Sequence, residues 1–307
     1  MELNGVSASP HLGSDGVNGI QDEILELEQR LRDAKARLRT AQPESSADRE
    51  PRTTYHHHTT SSSPSPPPPT THLAASTHFL LLLSDSALPL GSFAFSSGLE
   101  SYLAHNRRAA TFASFLSSSL CSFASTTLPF VLAAHRDPRA LAALDDQLDA
   151  AIVCTVGRRA SVAQGRALLS IWERSFRSAR PAVDDDVLRE FAALLRAEAK
   201  EDVPRASAHL APLFGAICAV VGLELRQTAY VFLLSHVKAL ISAAVRASVF
   251  GPYQAQKVLA GQNVQSMIDE MIDREWDTPV EEAGQTVPVM DLWIGRHETL
   301  YSRIFNS

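Results

Sequence analysis

Apolar residues recur at steps of three and four along most of the chain beyond residue 76, which is the spacing of amphipathic helices. One such set is Val187, Leu188, Phe191, Leu194 and Leu195. Alternating runs of Val, Ile and Thr, and Asn-Gly or Asp-Gly turns, would predict strands, and this part of the sequence has neither. We therefore predict that residues 77–307 form a single all-α, multi-helix bundle domain of roughly eight to ten helices.

Capping residues and glycine–proline breaks predict where several of these helices begin and end. Asp137 can cap a helix that has Pro138 at its first position, where no N–H donor is needed. Gly222 is the predicted C-cap of an apolar helix. The Gly-Pro pair at 251–252 should end a long helix, and residues 253–273 are predicted to form the next one.

Two segments that precede this domain have a different composition. Residues 1–40 contain one amphipathic helix, which is too short for a secure coiled coil, so we expect it to be isolated. Its apolar stripe consists of Ile24, Leu27, Leu31, Ala34 and Leu38. Residues 41–76 are rich in Pro, Ser and Thr, which predicts a disordered linker. The three histidines at 56–58 are either a weak metal site or low-complexity sequence.

Charge, cysteine content and hydropathy narrow the possible partners. The net charge of −6 argues against nucleic acid, because phosphate binding requires a concentrated basic face. Cys121, Cys154 and Cys218 form no CxxC pair, so we expect inert buried thiols in a reducing compartment. No secretory signal is expected. The apolar stretch 211–221 is too short, and 229–250 too charged, to span lipid, which predicts a cytoplasmic protein without a membrane partner.

No catalytic constellation is visible in the sequence. His-Glu-x-x-His, Gly-x-Ser-x-Gly and Gly-Lys-Ser/Thr motifs are all missing. Adjacent acidic residues such as Asp145 and Asp146 point to different sides of a helix, and we interpret them as a solvated face. His209 and His236 lie in separate apolar segments and are interpreted as core histidines. We therefore expect no enzymatic activity, no catalytic residue and no metal ligand.

Three clusters remain, of which residues 84–100 are the most sharply defined. Their density of Asp, Pro, Gly and Ser predicts a shaped corner between two helices. Gly91 permits a positive φ angle or the close approach of another chain. Ser96 or Ser97 can cap a helix that begins near Leu99. From these residues alone, a plain inter-helix corner and a surface for a partner are equally supported.

The other two clusters are residues 157–166 and 291–307. Gly165 within a predicted helix lowers its stability by roughly 1 kcal/mol relative to Ala, so a close helix crossing would explain it. Aromatic residues and arginine dominate protein–protein hot spots, so the C-terminal cluster either packs on its own domain or docks on a partner. Its apolar residues and cation are Trp293, Leu300, Tyr301, Ile304, Phe305 and Arg303.

In this order, the three clusters resemble the urease accessory protein UreF family. Residues 84–100 resemble its N-terminal signature, residues 159–165 its middle motif and residues 297–307 its C-terminal signature, while residues 243–246 and Gln256 resemble its later helices. The resemblance covers residues 77–307. It implies an all-α, dimeric, non-enzymatic protein that bridges UreD (also called UreH) to the GTPase UreG, in an assembly that delivers nickel to apo-urease.

The resemblance also implies roles for individual segments. The tail that contains Arg303 would be ordered on binding UreD and, with the corner around Phe93, would help to recruit UreG. This chain would have no cofactor of its own, since Ni²⁺ passes through the complex and UreG binds GTP and Mg²⁺. Phe95 stands where members often have His, so we expect no metal ligand there. The positions implied in partner binding are Asp85, Pro89, Gly91, Ser92, Phe93, Gly98, Glu100, Arg159, Gln164, Gly165, Arg246, Gln256, His297, Glu298, Tyr301, Arg303 and Phe305.

Two further hypotheses stay open. In the first, the chain activates the partner GTPase by supplying an arginine in trans. The candidates for that arginine are Arg158, Arg159, Arg246 and Arg303. In the second, the chain is a free-standing all-α metal-binding protein that uses His209, His236 and His297.

Overall fold

The computed structural model describes residues 29–30, 33, 35, 74–106, 111–180, 182–201 and 204–306. These residues form helices and turns and contain no strand, which confirms the all-α prediction. The predicted N-terminal helix, the linker and the histidines at 56–58 lie outside the described residues, apart from four helical positions between 29 and 35. The first helix of the domain begins at Ala75, two residues before the predicted start of the domain at residue 77.

Eleven α-helices are described between residues 74 and 306. They are α1 (Ala75–Ser84), α2 (Leu99–His105), α3 (Phe112–Arg136), α4 (Leu141–Ala151), α5 (Thr155–Ile171), α6 (Asp186–Ala197), α7 (Leu210–Val220), α8 (Leu225–Arg246), α9 (Pro252–Leu259), α10 (Gln262–Glu275) and α11 (Val289–Arg296). The α5 helix continues through a π-helical turn, Trp172–Phe176, to Ala179.

Two of the predicted helix ends are confirmed. The Asp137 side chain accepts a hydrogen bond from the Arg139 N–H, with Pro138 at the first position of a short 3-10 helix that precedes α4. Gly222 follows α7 with a φ angle of +81°, and the next residue donates its N–H to the Cys218 carbonyl. This geometry is the Schellman motif, in which a left-handed glycine ends a helix.

The single helix predicted over residues 253–273 is wrong, because the structure has two helices there. The chain leaves the helix at Ala260 and begins again after Gly261, whose backbone is extended with a ψ angle of 139°. Glycine has a poor helix propensity, and at Gly261 it marks a break between helices rather than the middle of one. This break also raises the helix count above the expected range.

The centre of the domain is α3, which packs against α4, α7, α8 and α10. The α7 helix is buried on every side from Ala211 to Cys218. It crosses α3 at Gly215, where an added Cβ would collide with the Val131 carbonyl. The sequence therefore places a residue without a side chain where two core helices approach most closely.

A proline inside α3 ties a distant loop to this core. Pro129 has no N–H, so the carbonyl of Ser125 four residues earlier loses its partner within the helix. The Gly284 N–H donates to that carbonyl at 3.1 Å. The loop before α11 is thus held by the carbonyl that Pro129 leaves free.

The start of α7 is fixed by a carboxylate from α4. Asp145 is fully buried and accepts the backbone N–H groups of Ser207, Ala208 and His209, at 2.5–3.0 Å. The expectation that Asp145 belongs to a solvated acidic face is therefore wrong, whereas its neighbour Asp146 is exposed. A buried carboxylate is tolerated here because three donors converge on it.

Two helices, α3 and α8, are long and apolar enough to span a membrane by length and composition alone. Each helix has a most apolar window of 18 residues. In α3, 67% of that window is buried inside the protein, and in α8, 56% is. The core helices of soluble proteins meet the same two criteria, so the finding is weak evidence for a span. Packing within the bundle accounts for the apolarity of both helices.

Only one of the three cysteines matches the expectation of a buried thiol. Cys218 is fully buried in α7, and burial raises the pKa of its thiol. Cys121 is half-buried, and its sulfur accepts a hydrogen bond from Arg274 at 3.3 Å. Cys154 is also half-buried and lies at the N-cap of α5 rather than inside a helix. The expectation is therefore wrong for Cys121 and Cys154.

Candidate protein-interaction site

The corner between α1 and α2 is shaped by local hydrogen bonds and two left-handed glycines. The Asp85 carboxylate accepts the Ala87 N–H at 2.9 Å, and Gly91 has a φ angle of +75°. A 3-10 turn over Ser92–Ala94 follows and leaves the Phe93 ring 67% exposed. A single exposed ring is common on protein surfaces, so Phe93 indicates an interaction site only if further exposed apolar side chains lie beside it.

The second half of the corner starts α2. The predicted serine cap is wrong, because the N-cap of α2 is Gly98 and has no side-chain capping bond. The Ser96 hydroxyl, two residues earlier, accepts the Glu100 N–H at 3.4 Å. Gly98 occupies the N-cap position with a φ angle of +86°. A Cβ on Gly98 would lie 3.0 Å from atoms of Trp293 and Ile294 in α11, so a larger residue would push α11 away from the corner.

Glu100 joins the corner to the C-terminal tail, residues 297–306. Its carboxylate accepts the Ile304 N–H at 2.7 Å and the Phe305 N–H at 3.2 Å. The same carboxylate lies 2.8 Å from Nε2 of His297, whose side chain is fully buried. One acidic side chain therefore holds the tail at two separate points. The tail packs on its own domain, which is one of the two possibilities that the sequence left open.

Arg246, at the end of α8, lies between the corner and the tail. Its guanidinium donates a hydrogen bond to the Phe93 carbonyl and lies over the Phe305 ring, 4.4 Å from the ring centroid. The Asn306 N–H donates to the Ala94 carbonyl at 2.7 Å. Partial burial lowers the pKa of Arg246, but an arginine stays charged at physiological pH, so the cation–π contact persists.

The α5 motif contacts both the corner and the tail. The Ser92 hydroxyl donates to the side-chain oxygen of Gln164 at 2.7 Å, and Arg159 forms an exposed ion pair with Glu298. Gly165, the residue after Gln164, is buried, and an added Cβ there would collide with the Ala208 carbonyl and approach the carbonyl carbon of His209 to 2.7 Å. The predicted close helix crossing at Gly165 is confirmed. The absence of a side chain at Gly165 allows α5 to pack directly against the backbone at the start of α7.

The structure therefore brings most of the implied positions together. We call the exposed side chains of Phe93, Tyr301 and Ile304, with the contacts beneath them, the tail–corner surface. Tyr301 and Ile304 are as open to solvent as Phe93 or nearly so, whereas Phe305 is buried under Arg246. Pro89, Gln256 and Arg303 have no described contact with this arrangement, and the Asp85 side chain bonds Ala87 within the corner; all four positions are exposed.

A buried polar network beside the α5 motif was missed by the sequence analysis. Nε2 of His209 lies 2.8 Å from Asp149, and its Nδ1 lies 3.0 Å from the Ser161 hydroxyl. Burial alone raises the pKa of the Asp149 carboxyl, but hydrogen bonds from Arg158 and His209 outweigh it and lower that pKa to about 2. The i,i+4 spacing of Asp145 and Asp149 on α4 is the signal that could have revealed this face.

The three histidines of the metal-binding hypothesis have separate partners. His209 bonds Asp149, His297 lies beside Glu100, and His236 lies 3.0 Å from the Ser119 hydroxyl. The described residues contain no group of three or more His, Cys, Asp or Glu side chains that could hold a metal ion. The core interpretation of His209 is confirmed by its complete burial, and burial lowers the pKa of His236 to about 3.

Comparison with known proteins places these features in one family. The UreF family model matches residues 107–263, which include Arg159, Gln164, Gly165, Arg246 and Gln256 but neither the corner nor the tail. A UreF-like urease accessory protein of Schizosaccharomyces pombe is 38% identical over 229 residues, which is 74% of this chain and 95% of the relative.

Plant and bacterial relatives have similar coverage. Urease accessory protein F of Oryza sativa subsp. japonica is 35% identical over 227 residues, 73% of this chain and 82% of the relative. Urease accessory protein UreF of Paenarthrobacter aurescens is 31% identical over 229 residues, 73% of this chain and 95% of the relative. The similarity thus extends over nearly the whole length of two of these three proteins.

Proposed function

Because the chain belongs to the UreF family of urease accessory proteins, we propose that it is a non-enzymatic assembly factor for nickel insertion into apo-urease. In this proposal it forms a homodimer in the cytoplasm and bridges UreD (UreH) to the GTPase UreG. Ni²⁺ is the cargo of the complex, and GTP and Mg²⁺ are bound by UreG. The chain itself gates GTP hydrolysis and nickel transfer.

One observation supports the proposal above the others. Three segments that are far apart in the sequence meet at the tail–corner surface, through the contacts of Glu100, Gln164 and Arg246. Exposed aromatic and aliphatic side chains lie above an ordered set of hydrogen bonds. A preorganised apolar patch binds a partner without first paying the entropy of ordering its own backbone.

The test is co-purification of the chain with UreD and UreG. A variant that lacks residues 298–307 should lose UreG, because the tail contributes two of the three exposed apolar side chains of the surface. Equal recovery of UreG with the truncated and the full-length chain would overturn the role of the tail. A host that lacks this chain and still makes fully active, nickel-loaded urease would overturn the proposed function itself.

The arginine-supplying alternative is favoured at one position only. Arg158 pairs with Asp149, Arg159 with Glu298, and Arg246 contacts the corner. Arg303 is exposed on the tail, so it is the candidate that needs no rearrangement to reach a GTPase. In the assembled complex, Arg303→Ala should then lower UreG turnover by orders of magnitude, while Arg174→Ala, an exposed arginine elsewhere, should not. Unchanged turnover in Arg303→Ala would exclude Arg303, and unchanged turnover in all four single Arg→Ala variants would exclude this alternative.

A further inference from the structure

A cavity of about 280 Å³ lies next to the tail–corner surface, lined by α3, α5, α7, α8, α11 and the corner. This volume is roughly twenty times what a single water molecule needs, so the cavity is large enough for an organic molecule. Most of its wall is apolar. The larger apolar side chains in it are Phe95, Phe123, Ile152, Phe214, Phe232 and Ile294.

The polar groups in the wall are almost all neutral. Among the described lining residues Asp291 is the one acidic side chain, and it accepts a hydrogen bond from Gln285 at 3.1 Å. No lysine or arginine belongs to the lining residues that the structure describes. The His236 ring stacks on Phe123 with centroids 4.0 Å apart, and burial keeps it uncharged at neutral pH. Because burial of an unpaired charge is costly, this wall disfavours an anionic ligand.

One hydroxyl group in the wall is available to bind a ligand. The neighbouring hydroxyls of Thr126, Thr127 and Ser235 each donate to a backbone carbonyl of their own helix. Ser122 also lines the cavity and is only 6% exposed. No hydrogen bond of its hydroxyl is described, and its oxygen is not among the fully buried side-chain atoms that lack a partner, so it is accessible from the cavity. A ligand oxygen in the cavity would therefore be able to accept a hydrogen bond from this hydroxyl.

We propose that this cavity binds a neutral, mostly apolar organic molecule with one hydrogen-bond acceptor, which meets the Ser122 hydroxyl while its apolar body packs against Phe123 and Phe232. The proposal does not depend on the proposed function. Leu90 and Ser92 of the corner line the same cavity, so a bound molecule would contact the underside of the tail–corner surface.

The test uses 6-propionyl-2-(dimethylamino)naphthalene, a neutral fluorescent naphthalene with a single ketone oxygen. Titration of the full chain should give saturable binding at one molecule per chain with a blue-shifted emission. Ser122→Ala should weaken binding about fivefold, because it removes one neutral hydrogen bond. The anionic dye 1-anilinonaphthalene-8-sulfonate should not displace the probe.

Cavity-filling variants locate the probe. Ala239→Phe on α8 should weaken binding at least tenfold, whereas Ala193→Phe, at an exposed position of α6, should leave it unchanged. If circular dichroism shows that Ala239→Phe is unfolded, Ala160→Phe on the α5 wall decides instead. Wild-type affinity in a folded filling variant, displacement by the anionic dye, no saturable binding or no effect of Ser122→Ala would each overturn the proposal.

Discussion

Asp145 and Glu100 perform the same chemistry in two regions of the molecule with opposite surroundings. Each carboxylate accepts backbone N–H groups from a segment that is distant in the sequence. Asp145 is fully buried between core helices, whereas 13% of the Glu100 side chain is exposed and its segment is the end of the chain. The comparison indicates that a carboxylate anchor is permanent or releasable according to what replaces it when the bond breaks.

The two anchors differ in whether water can reach the N–H groups that each carboxylate would release. The segment that Asp145 holds, residues 206–209, is buried throughout, so its N–H groups would have no solvent partner if the carboxylate left. In the tail, Phe305 is buried but its neighbours on both sides are exposed. Water can take over the tail's hydrogen bonds without any opening of the core, so Glu100 is suited to hold a segment that a partner engages.

The largest expected effect is at Asp145. Asp145→Asn should destabilise the domain by about 3 kcal/mol, because the substitution removes a buried charge from three converging donors and turns an amide N–H towards them. Asp146→Asn, its exposed neighbour, should change stability by less than about 0.5 kcal/mol. Urea denaturation at pH 7 measures both. Similar midpoints for the two variants would show that Asp145 is no stronger an anchor than a surface residue.

The segment that Asp145 holds, just before α7, also packs against Gly165 of α5, so a substitution in α5 can disrupt it as well. Gly165→Ala should cost about 2 kcal/mol, since the added methyl meets the rigid backbone of residues 208–210. Gly157→Ala, in the first turn of the same helix, meets its nearest atom at 3.8 Å and should stabilise the helix by up to about 1 kcal/mol. Thermal unfolding followed by circular dichroism compares them. A neutral Gly165→Ala would mean that the crossing is looser than the geometry shows.

At Glu100 we expect a local effect instead of a global one. Glu100→Ala should raise amide hydrogen exchange at Ile304 and Phe305 at least tenfold, which corresponds to about 1.4 kcal/mol of local stability. Exchange of core amides in α3 and α7 should stay unchanged. Glu298→Ala serves as the control on the tail, because its side chain does not contact these two amides. If Glu100→Ala lowers protection throughout the domain, the distinction between the two anchors fails.

The sequence predicts the parts of this arrangement that depend on neighbours in the chain. Helical periodicity predicts the all-α fold, and local chemistry predicts the cap at Asp137 and the crossing at Gly165. Asp145 was misassigned because its burial depends on N–H groups that lie more than 60 residues away. The resemblance implicated Glu100 and the tail, but their contact joins residues about 200 positions apart, and no local pattern encodes it.

The smallest expected effect is at the ion pair between Arg159 and Glu298, which closes the outer side of the tail. Both side chains are largely exposed, at 63% and 43%, so their coupling in a double-mutant cycle should be below about 0.5 kcal/mol. The variants are Arg159→Ala, Glu298→Ala and the double substitution, compared by urea denaturation. A coupling above about 1 kcal/mol would make this pair a second anchor of the tail. A weak coupling leaves Glu100 as the acidic anchor of the tail and the Arg159 guanidinium available to a partner at little cost.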